Sequence, residues 1–245
     1  MKKTATILVS MILVLVLFCS CGLTDKLNGT DSDGKKYQKY VKGLMDGSYK
    51  GDINSYMSVC EASKEDAQSN YDNCILYYVR SILYTFGFDD YTTLPKSVVD
   101  DYTEYTKKMI NEAKYTVDKG EKKNKEWYVT VHINPMNVFT DKMVSDCTEY
   151  INDYTSRYTQ DELANMSDEE YEKLLTEYLT SLLDIIKKDF DDREYKDEVV
   201  KELKININES TYSVDDDLWL ELDNLILDFG DKSDESAESS ESADE

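Results

Sequence analysis

Residues 113–134, AKYTVDKGEKKNKEWYVTVHIN, decide the fold class, because a helical pattern gives way to strands within them. Ala113–Val117 and Trp127–Asn134 are rich in β-branched and aromatic residues, and the polar segment between them contains a glycine. This arrangement predicts an antiparallel hairpin. Pro135 ends the second strand, because proline cannot donate a ladder hydrogen bond.

The second strand of this hairpin has two different faces. Its apolar side chains alternate with more polar ones, so the sequence predicts one face towards the core and one towards solvent. The predicted core face is Trp127, Val129, Val131 and Ile133, and the opposite face carries Tyr128, Thr130, His132 and Asn134.

Helical periodicity lies on both sides of the hairpin. Apolar residues at spacings of three and four predict helices in these segments: 37–45, 53–59, 63–86, 96–112, 140–158 and 167–190. Gly47 is expected to end the first of them. Ser63 with Asp66 and Ser167 with Glu170 have the spacing of N-terminal caps.

A second hairpin is predicted at 199–214, followed by a last helix that begins at Asp215–Asp217. The order of helices, hairpin, helices and hairpin indicates an α+β fold. The two hairpins could join into one sheet covered by helices, similar to the NTF2-like or cystatin-like folds. The alternative is two small α+β halves, because helices precede a hairpin in each half of the chain.

The first residues, MKKTATILVSMILVLVLFCSCG (Met1–Gly22), have the pattern of a secretory signal. Lys2 and Lys3 precede the apolar run Ile7–Phe18. A membrane-spanning helix needs about 20 apolar residues, so this run is too short to be one.

The end of the signal resembles the lipobox of bacterial lipoproteins. In Phe18-Cys19-Ser20-Cys21 a small residue precedes Cys21, whereas bulky Phe18 precedes Cys19, so Cys21 is the better match. The departure from the pattern is Phe18, where lipoproteins usually have leucine. The resemblance implies that Cys21 is diacylated through its thiol, becomes the N-terminus and anchors the protein to the outer face of the membrane, since two acyl chains anchor firmly. The alternative is an ordinary signal without lipid.

The chain therefore divides into four segments by composition. We expect a signal peptide at 1–21, a flexible tether at 22–36, an extracytoplasmic α+β domain at 37–227 and a disordered acidic tail at 228–245.

The charge excludes some partners. The net charge is −23, and the signal contributes two lysines and no acid. Nucleic acids need a basic surface, so we expect no nucleic-acid partner. The same charge argues against a protein that lies flat on anionic lipid.

Three cysteines follow the signal, namely Cys60, Cys74 and Cys147. One interpretation is a disulfide between Cys60 and Cys74, because they are the nearest pair and the expected compartment is oxidising. The alternative is that all three are small buried side chains. Their spacing gives no zinc motif, and the sequence predicts no metal and no cofactor.

His132 is the only histidine, so any histidine-based catalysis must use it. Together with Tyr128 and Thr130 it could line a pocket on the more polar strand face. A catalytic triad also needs a nucleophile and an orienting acid, which the sequence does not place. The chain has 20 tyrosines, most of them at core spacing on helices, where they favour packing over ligand stacking.

Residues 40–57, YVKGLMDGSYKGDINSYM, and 61–73, EASKEDAQSNYDN, resemble the start of a family of uncharacterised lipoproteins from Gram-positive gut bacteria. In that family a helix is followed by an aromatic-Lys-Gly-Asp turn and then by a long helix. The resemblance implies location and fold, and the family has no assigned activity to transfer.

Two functions remain open. The first is a non-enzymatic lipoprotein, anchored through Cys21, that binds an envelope protein, a peptide or a small ligand. The second is an extracytoplasmic hydrolase that uses His132 with nearby tyrosines or acids.

Overall fold

The structure is a computed structural model, and it describes residues 19–20, 30–208 and 211–229. The predicted signal before Cys19, the predicted lipidation site Cys21 and nearly all of the predicted acidic tail lie outside these ranges. The described part is α+β, as the order of sequence patterns indicated.

Helices make up most of the described chain. They are α1 Thr30–Lys50, α2 Ile53–Cys60, α3 Lys64–Thr85, α4 Lys96–Asn111, α5 Asp141–Thr155, α6 Gln160–Ala164, α7 Asp168–Asp189 and α8 Asp216–Ile226. Short 3₁₀ turns occur at Tyr91–Thr93 and Phe190–Asp192.

The strands form two sheets. They are β1 Cys19–Ser20, β2 Lys114–Val117, β3 Glu121–Lys123, β4 Glu126–Asn134, β5 Met136–Asn137, β6 Glu194–Tyr195, β7 Val199–Asn208, β8 Thr211–Val214 and β9 Leu227–Asp228. The larger sheet has the order β1-β8-β7-β4-β2, with β3 paired to β4. The smaller sheet has the order β6-β5-β9.

The chain forms two compact units, each assembled from separate segments. The first unit comprises residues up to 76, 115–133 and 200–223, and it contains nearly all of the larger sheet. The second comprises 77–114, 134–199 and residues from 224 onward, with the smaller sheet. Both predicted hairpins join in the larger sheet, while the second unit adds a sheet that the sequence did not predict. The two hairpins therefore share one sheet, as the first alternative predicted. The two units are not the predicted halves, because both hairpins belong to the first unit. The likeness to NTF2-like or cystatin-like folds stays a prediction.

In the first unit, α1 packs on the apolar face of the larger sheet. The alternation predicted for β4 is confirmed: Trp127, Val129, Val131 and Ile133 are buried. The Tyr37 ring on α1 lies 5.0 Å from Trp127, and the Tyr40 hydroxyl donates to the Tyr212 carbonyl at 3.0 Å. Register in β7–β8 pairs Ile205 with Val214 and Asn208 with Thr211.

In the second unit, α5 and α7 form the predicted antiparallel pair. Lys142 at the start of α5 pairs with Asp189 at the end of α7, while the Tyr154 hydroxyl donates to the Leu174 carbonyl at 3.2 Å. The capping box of Ser167 and Glu170 is confirmed at the start of α7.

The prediction that Gly47 ends the first helix is wrong. Helix α1 continues to Lys50, and Gly47 serves a close helix contact: a Cβ there would lie 2.7 Å from Cβ of Tyr56 on α2. Gly43 has the same role against Val59. The turn comes at Gly51, whose φ of +64° lies in the region that glycine adopts without strain.

The predicted tether, 22–36, is also too long. Helix α1 begins at Thr30, so the last seven residues of that tether are helical. They are held in place by a glycine contact, in which the Gly120 N–H donates to the Gly34 carbonyl at 3.0 Å. A Cβ on Gly34 would lie 2.5 Å from the Gly120 oxygen, so position 34 needs glycine or a shift of backbone, while a Cβ on Gly120 would make a tight contact of 3.2 Å with Cβ of Tyr37.

Candidate functional site

The residues predicted to line a pocket lie on the half-exposed face of β4. Tyr128, Thr130 and His132 each alternate with a buried neighbour, as the pleat requires. The structure places an acid beside the histidine: His132 Nε2 lies 3.0 Å from Asp118 Oδ2. The Asp118 N–H donates to the Thr130 carbonyl at 2.8 Å, which fixes the loop after β2 against β4.

Asp118 therefore supplies the orienting acid that the sequence did not place. A carboxylate that accepts from Nε2–H leaves Nδ1 as the acceptor of the neutral imidazole. Such an acceptor can remove a proton from water or a hydroxyl, as a general base does. The side chains of His132 and Asp118 are 25% and 59% exposed, so the pair faces solvent.

Tyr128 is engaged by a different group. Its hydroxyl donates to Glu126 Oε2 at 2.8 Å, and Glu126 also pairs with Lys204 on the neighbouring strand. The hydrogen bond to Glu126 raises the pKa of Tyr128, which keeps its hydroxyl protonated. The three predicted residues thus share a face, but only His132 has the acid partner that base catalysis needs.

The cysteine prediction needs a correction. Cys74 and Cys147 are both free thiols, so the disulfide between Cys60 and Cys74 is absent. Cys60 is itself disulfide-bonded, so the alternative of three small buried thiols is wrong as well. Burial raises the pKa of Cys74 well above its usual value, with the Asp223 charge adding to it, and burial raises the pKa of Cys147 to about 11. A thiol with such a pKa is protonated at neutral pH and is a poor nucleophile.

A cluster that sequence analysis missed lies in the first unit, around Asp223 on α8. The Tyr49 hydroxyl donates to Asp223 Oδ1 at 2.6 Å. The Tyr49 ring stacks on Trp219 at 6.2 Å and meets Tyr115 edge-on at 5.9 Å. Burial raises the pKa of Asp223 to about 7, although the hydrogen bond from Tyr49 opposes that shift. The carboxyl of Asp223 is therefore poised to exchange a proton near neutral pH.

A second hydrogen bond ties the same aromatic cluster to α1. The Tyr115 hydroxyl donates to Asp46 Oδ1 at 2.9 Å, and Asp46 also pairs with Lys42 one turn earlier. Burial first, and then the Asp46 charge, raise the pKa of Tyr115. The sequence signal for this cluster is weak: Asp223 follows Leu222 of the apolar stripe of α8, which would place an acid at the edge of a buried face.

The prediction that most of the 20 tyrosines pack in the core holds only in part, because eight of them are buried while Tyr84 and Tyr171 are 57% and 47% exposed. Tyr40, Tyr49, Tyr78 and Tyr102 have at most 1% of their surface exposed. The Tyr102 hydroxyl donates to the Leu179 carbonyl at 2.9 Å, which satisfies it inside the second unit.

Within the residues that the structure describes, no group of three or more His, Cys, Asp or Glu side chains could hold a metal ion. Within the same residues, no helix is both long and apolar enough to cross a bilayer.

Comparison with solved structures finds a similar fold in YcdA from Bacillus subtilis subsp. subtilis str. 168, a candidate lipoprotein known from a crystal structure. The TM-score is 0.52 at 15% sequence identity, and the match covers 80% of this chain. It covers 58% of YcdA, so this chain spans little more than half of that protein. At such low identity the likeness concerns the fold alone. No protein-family model and no curated protein sequence matches the chain.

Proposed function

We propose that the protein is a lipoprotein, anchored through Cys21 to the outer face of the membrane, whose α+β body binds an envelope protein, a peptide or a small ligand. The observation that carries this proposal is Ser20-Cys21 directly after a positively charged start and a short apolar run. The body is non-enzymatic in this proposal.

The likeness of fold to YcdA supports the proposal, because that protein is itself described as a candidate lipoprotein. The free cysteines support a binding role over cysteine-based catalysis, because the raised pKa values of Cys74 and Cys147 keep both thiols protonated.

The start of α1 sets how far the body extends from the membrane. Residues 22–29 separate Cys21 from Thr30. At roughly 3.3–3.6 Å per residue, they span at most about 30 Å. Cleavage before Cys21 also removes Cys19–Ser20, which pairs with Thr211 and Tyr212. Strand β8 therefore loses this neighbour in the mature protein.

The experiment is incorporation of labelled palmitate in producing cells, with wild type, Cys21→Ala and Cys19→Ala compared. We expect label in wild type and in Cys19→Ala, and none in Cys21→Ala, because only Cys21 follows a small residue. The Cys19 variant is the matched control, since it removes a cysteine two residues away in the same segment. Label that is lost in Cys19→Ala and kept in Cys21→Ala would place the lipid on Cys19. Absence of label in all three proteins would reject the lipid anchor.

A hydrolase remains the second candidate, and the contact between His132 and Asp118 favours it. The test is hydrolysis of p-nitrophenyl acetate by wild type, His132→Gln and Asp118→Asn. A hydrolase that uses this pair would lose activity in both variants, by about 10²–10⁴-fold for a general base. Equal rates in all three proteins would exclude this role for His132.

A further inference from the structure

We infer that the first unit carries a membrane-facing basic surface that holds the anchored body against anionic lipid headgroups. We call this surface the lysine face, and it consists of the lysines around the start of α1 and the β3–β4 hairpin: Lys35, Lys36, Lys39, Lys119, Lys122 and Lys125. The inference rests on the proposed anchor at Cys21.

The two lysine-bearing segments are far apart in sequence and are joined by the glycine contact. The Gly120 N–H donates to the Gly34 carbonyl, and Lys119 carbons would lie 3.1–3.2 Å from a Cβ on Gly34. The contact leaves no room for a side chain on Gly34 and little on Gly120, where a Cβ would lie 3.2 Å from Cβ of Tyr37. It therefore places the loop after β2 directly against the first turns of α1.

Aromatic rings support the lysines on this surface. The Tyr37 ring lies between Trp127 at 5.0 Å and Tyr212 at 5.4 Å. The ammonium of Lys122 lies 5.8 Å from the Trp127 ring, and that of Lys36 lies 4.6 Å from the Tyr212 ring. Lysines over ring faces keep their charge at the surface while their stems pack on apolar area.

The local charge is opposite to that of the whole protein. Without Lys123, which pairs with Glu202, residues 30–39 and 118–125 contain six lysines and four acids, a net charge of +2, whereas the chain carries −23. Lys35, Lys39, Lys122 and Lys125 are exposed. At physiological ionic strength charges beyond about 8 Å are screened, so a membrane in contact with this surface is attracted by the lysines more than it is repelled by the distant acids.

The acids within these two segments are partly committed to partners. Asp118 pairs with His132, and Glu121 lies 3.9 Å from Lys123. Lys123 also pairs with Glu202, and we do not count it in the lysine face. Lys35 and Lys119 make interactions of their own as well, so the lysine face is defined by position and not by unpaired charge.

The anchor brings this surface to the membrane. At most about 30 Å of chain joins Cys21 to α1, whose first turns form part of the lysine face. Before cleavage, Ser20 pairs with Thr211 and Cys19 with Tyr212, the residue under Lys36. This pairing belongs to the uncleaved chain, so in the mature protein the short link between Cys21 and α1 alone holds the lysine face near the anchor.

The test is lysine labelling of the mature protein, reconstituted through its own anchor into vesicles. One set of vesicles is phosphatidylcholine alone, and the other contains phosphatidylglycerol as well. We expect slower labelling of Lys35, Lys39, Lys119, Lys122 and Lys125 in the anionic vesicles. The protection should disappear at 1 M salt, where the Debye length is about 3 Å.

The internal control is a pair of exposed lysines in the second unit, Lys96 on α4 and Lys173 on α7. Their labelling should be equal in both kinds of vesicle. Lys119→Glu/Lys122→Glu/Lys125→Glu should abolish the protection of Lys35 and Lys39, whereas Lys96→Glu/Lys173→Glu should leave it unchanged.

Each lysine near an anionic surface contributes about 1 kcal/mol, or about fivefold in binding. Reversing three charges should therefore weaken sedimentation with phosphatidylglycerol vesicles by at least roughly a hundredfold when the protein lacks lipid. The intact mass distinguishes failure of the anchor from failure of the lysine face. A mature protein without lipid would contradict the anchor, and the sedimentation of the lipid-free protein would still test the lysine face.

Equal labelling in both kinds of vesicle would overturn the inference, as would equal protection of Lys96 and Lys173. If soluble polyphosphate slows the labelling of these lysines and phosphatidylglycerol vesicles do not, the partner of the lysine face is a soluble polyanion and not the membrane.

Discussion

The substitution Asp223→Asn removes a carboxyl whose pKa the fold raises to about 7 from an ordinary value of 3.8. Between these two values the folded protein binds a proton that the unfolded chain has lost. The free energy of unfolding therefore falls as pH rises from about 4 to 7, because the unfolded state binds fewer protons. Asparagine cannot ionise, and its amide oxygen can still accept the hydrogen bond from Tyr49.

The magnitude follows from the size of the shift. About three pKa units correspond to at most about 4 kcal/mol. Asp223 keeps partial contact with solvent, so we expect roughly half of this, about 2 kcal/mol, after screening. At pH 8 Asp223→Asn should be more stable than wild type by that amount, and at pH 4 the two proteins should be about equally stable.

The assay is urea unfolding, followed by tryptophan fluorescence, at several values between pH 4 and 8. Asp90→Asn is the control of opposite sign. Hydrogen bonds from Thr92 lower the pKa of Asp90, so its carboxylate stabilises the fold at neutral pH and that contribution is lost as pH falls. A stability difference between wild type and Asp223→Asn that is the same at pH 4 and pH 8 would refute the reasoning, as would a variant less stable than wild type at pH 8.

Two further predictions concern helices. Gly47→Ala should destabilise the protein by about 1–3 kcal/mol in urea unfolding, because its Cβ would lie 2.7 Å from Cβ of Tyr56, although alanine normally favours a helix over glycine. A stabilised variant would show that α1 and α2 are not in such close contact. Ser167→Ala should lower the free energy of unfolding by about 1 kcal/mol, because it removes the oxygen that caps the N–H of Glu170. The exposed helix residue Ser69 gives the matched Ser→Ala control, and an equal loss at both serines would contradict the capping role.

The sequence predicted the long elements because each shows its period over many residues. Helices α4, α5 and α7 and strands β4 and β7 all have enough apolar repeats to be recognised. The two-residue strands β5, β6 and β9 were missed, since two residues show no alternation. The division into two units was not predictable from a linker, because each unit draws on three separate stretches of chain.

The candidate sites depended on contacts that sequence spacing does not contain. Tyr49 and Asp223 are 174 residues apart, so their hydrogen bond follows from the fold and from no local motif. Asp118 is 14 residues from His132, and only the pairing of β2 beside β4 brings them together. Gly47 looked like a helix end because its packing partner, Tyr56, belongs to the next helix.

The most direct test of the proposed lipoprotein is the intact mass of the mature protein purified from producing cells. We predict a chain that begins at Cys21, without residues 1–20, and carries the added mass of a diacylglyceryl group on that cysteine. A mass that shows residues 1–20 still present, or a chain cut elsewhere and free of lipid, would contradict the anchor and with it the proposed function.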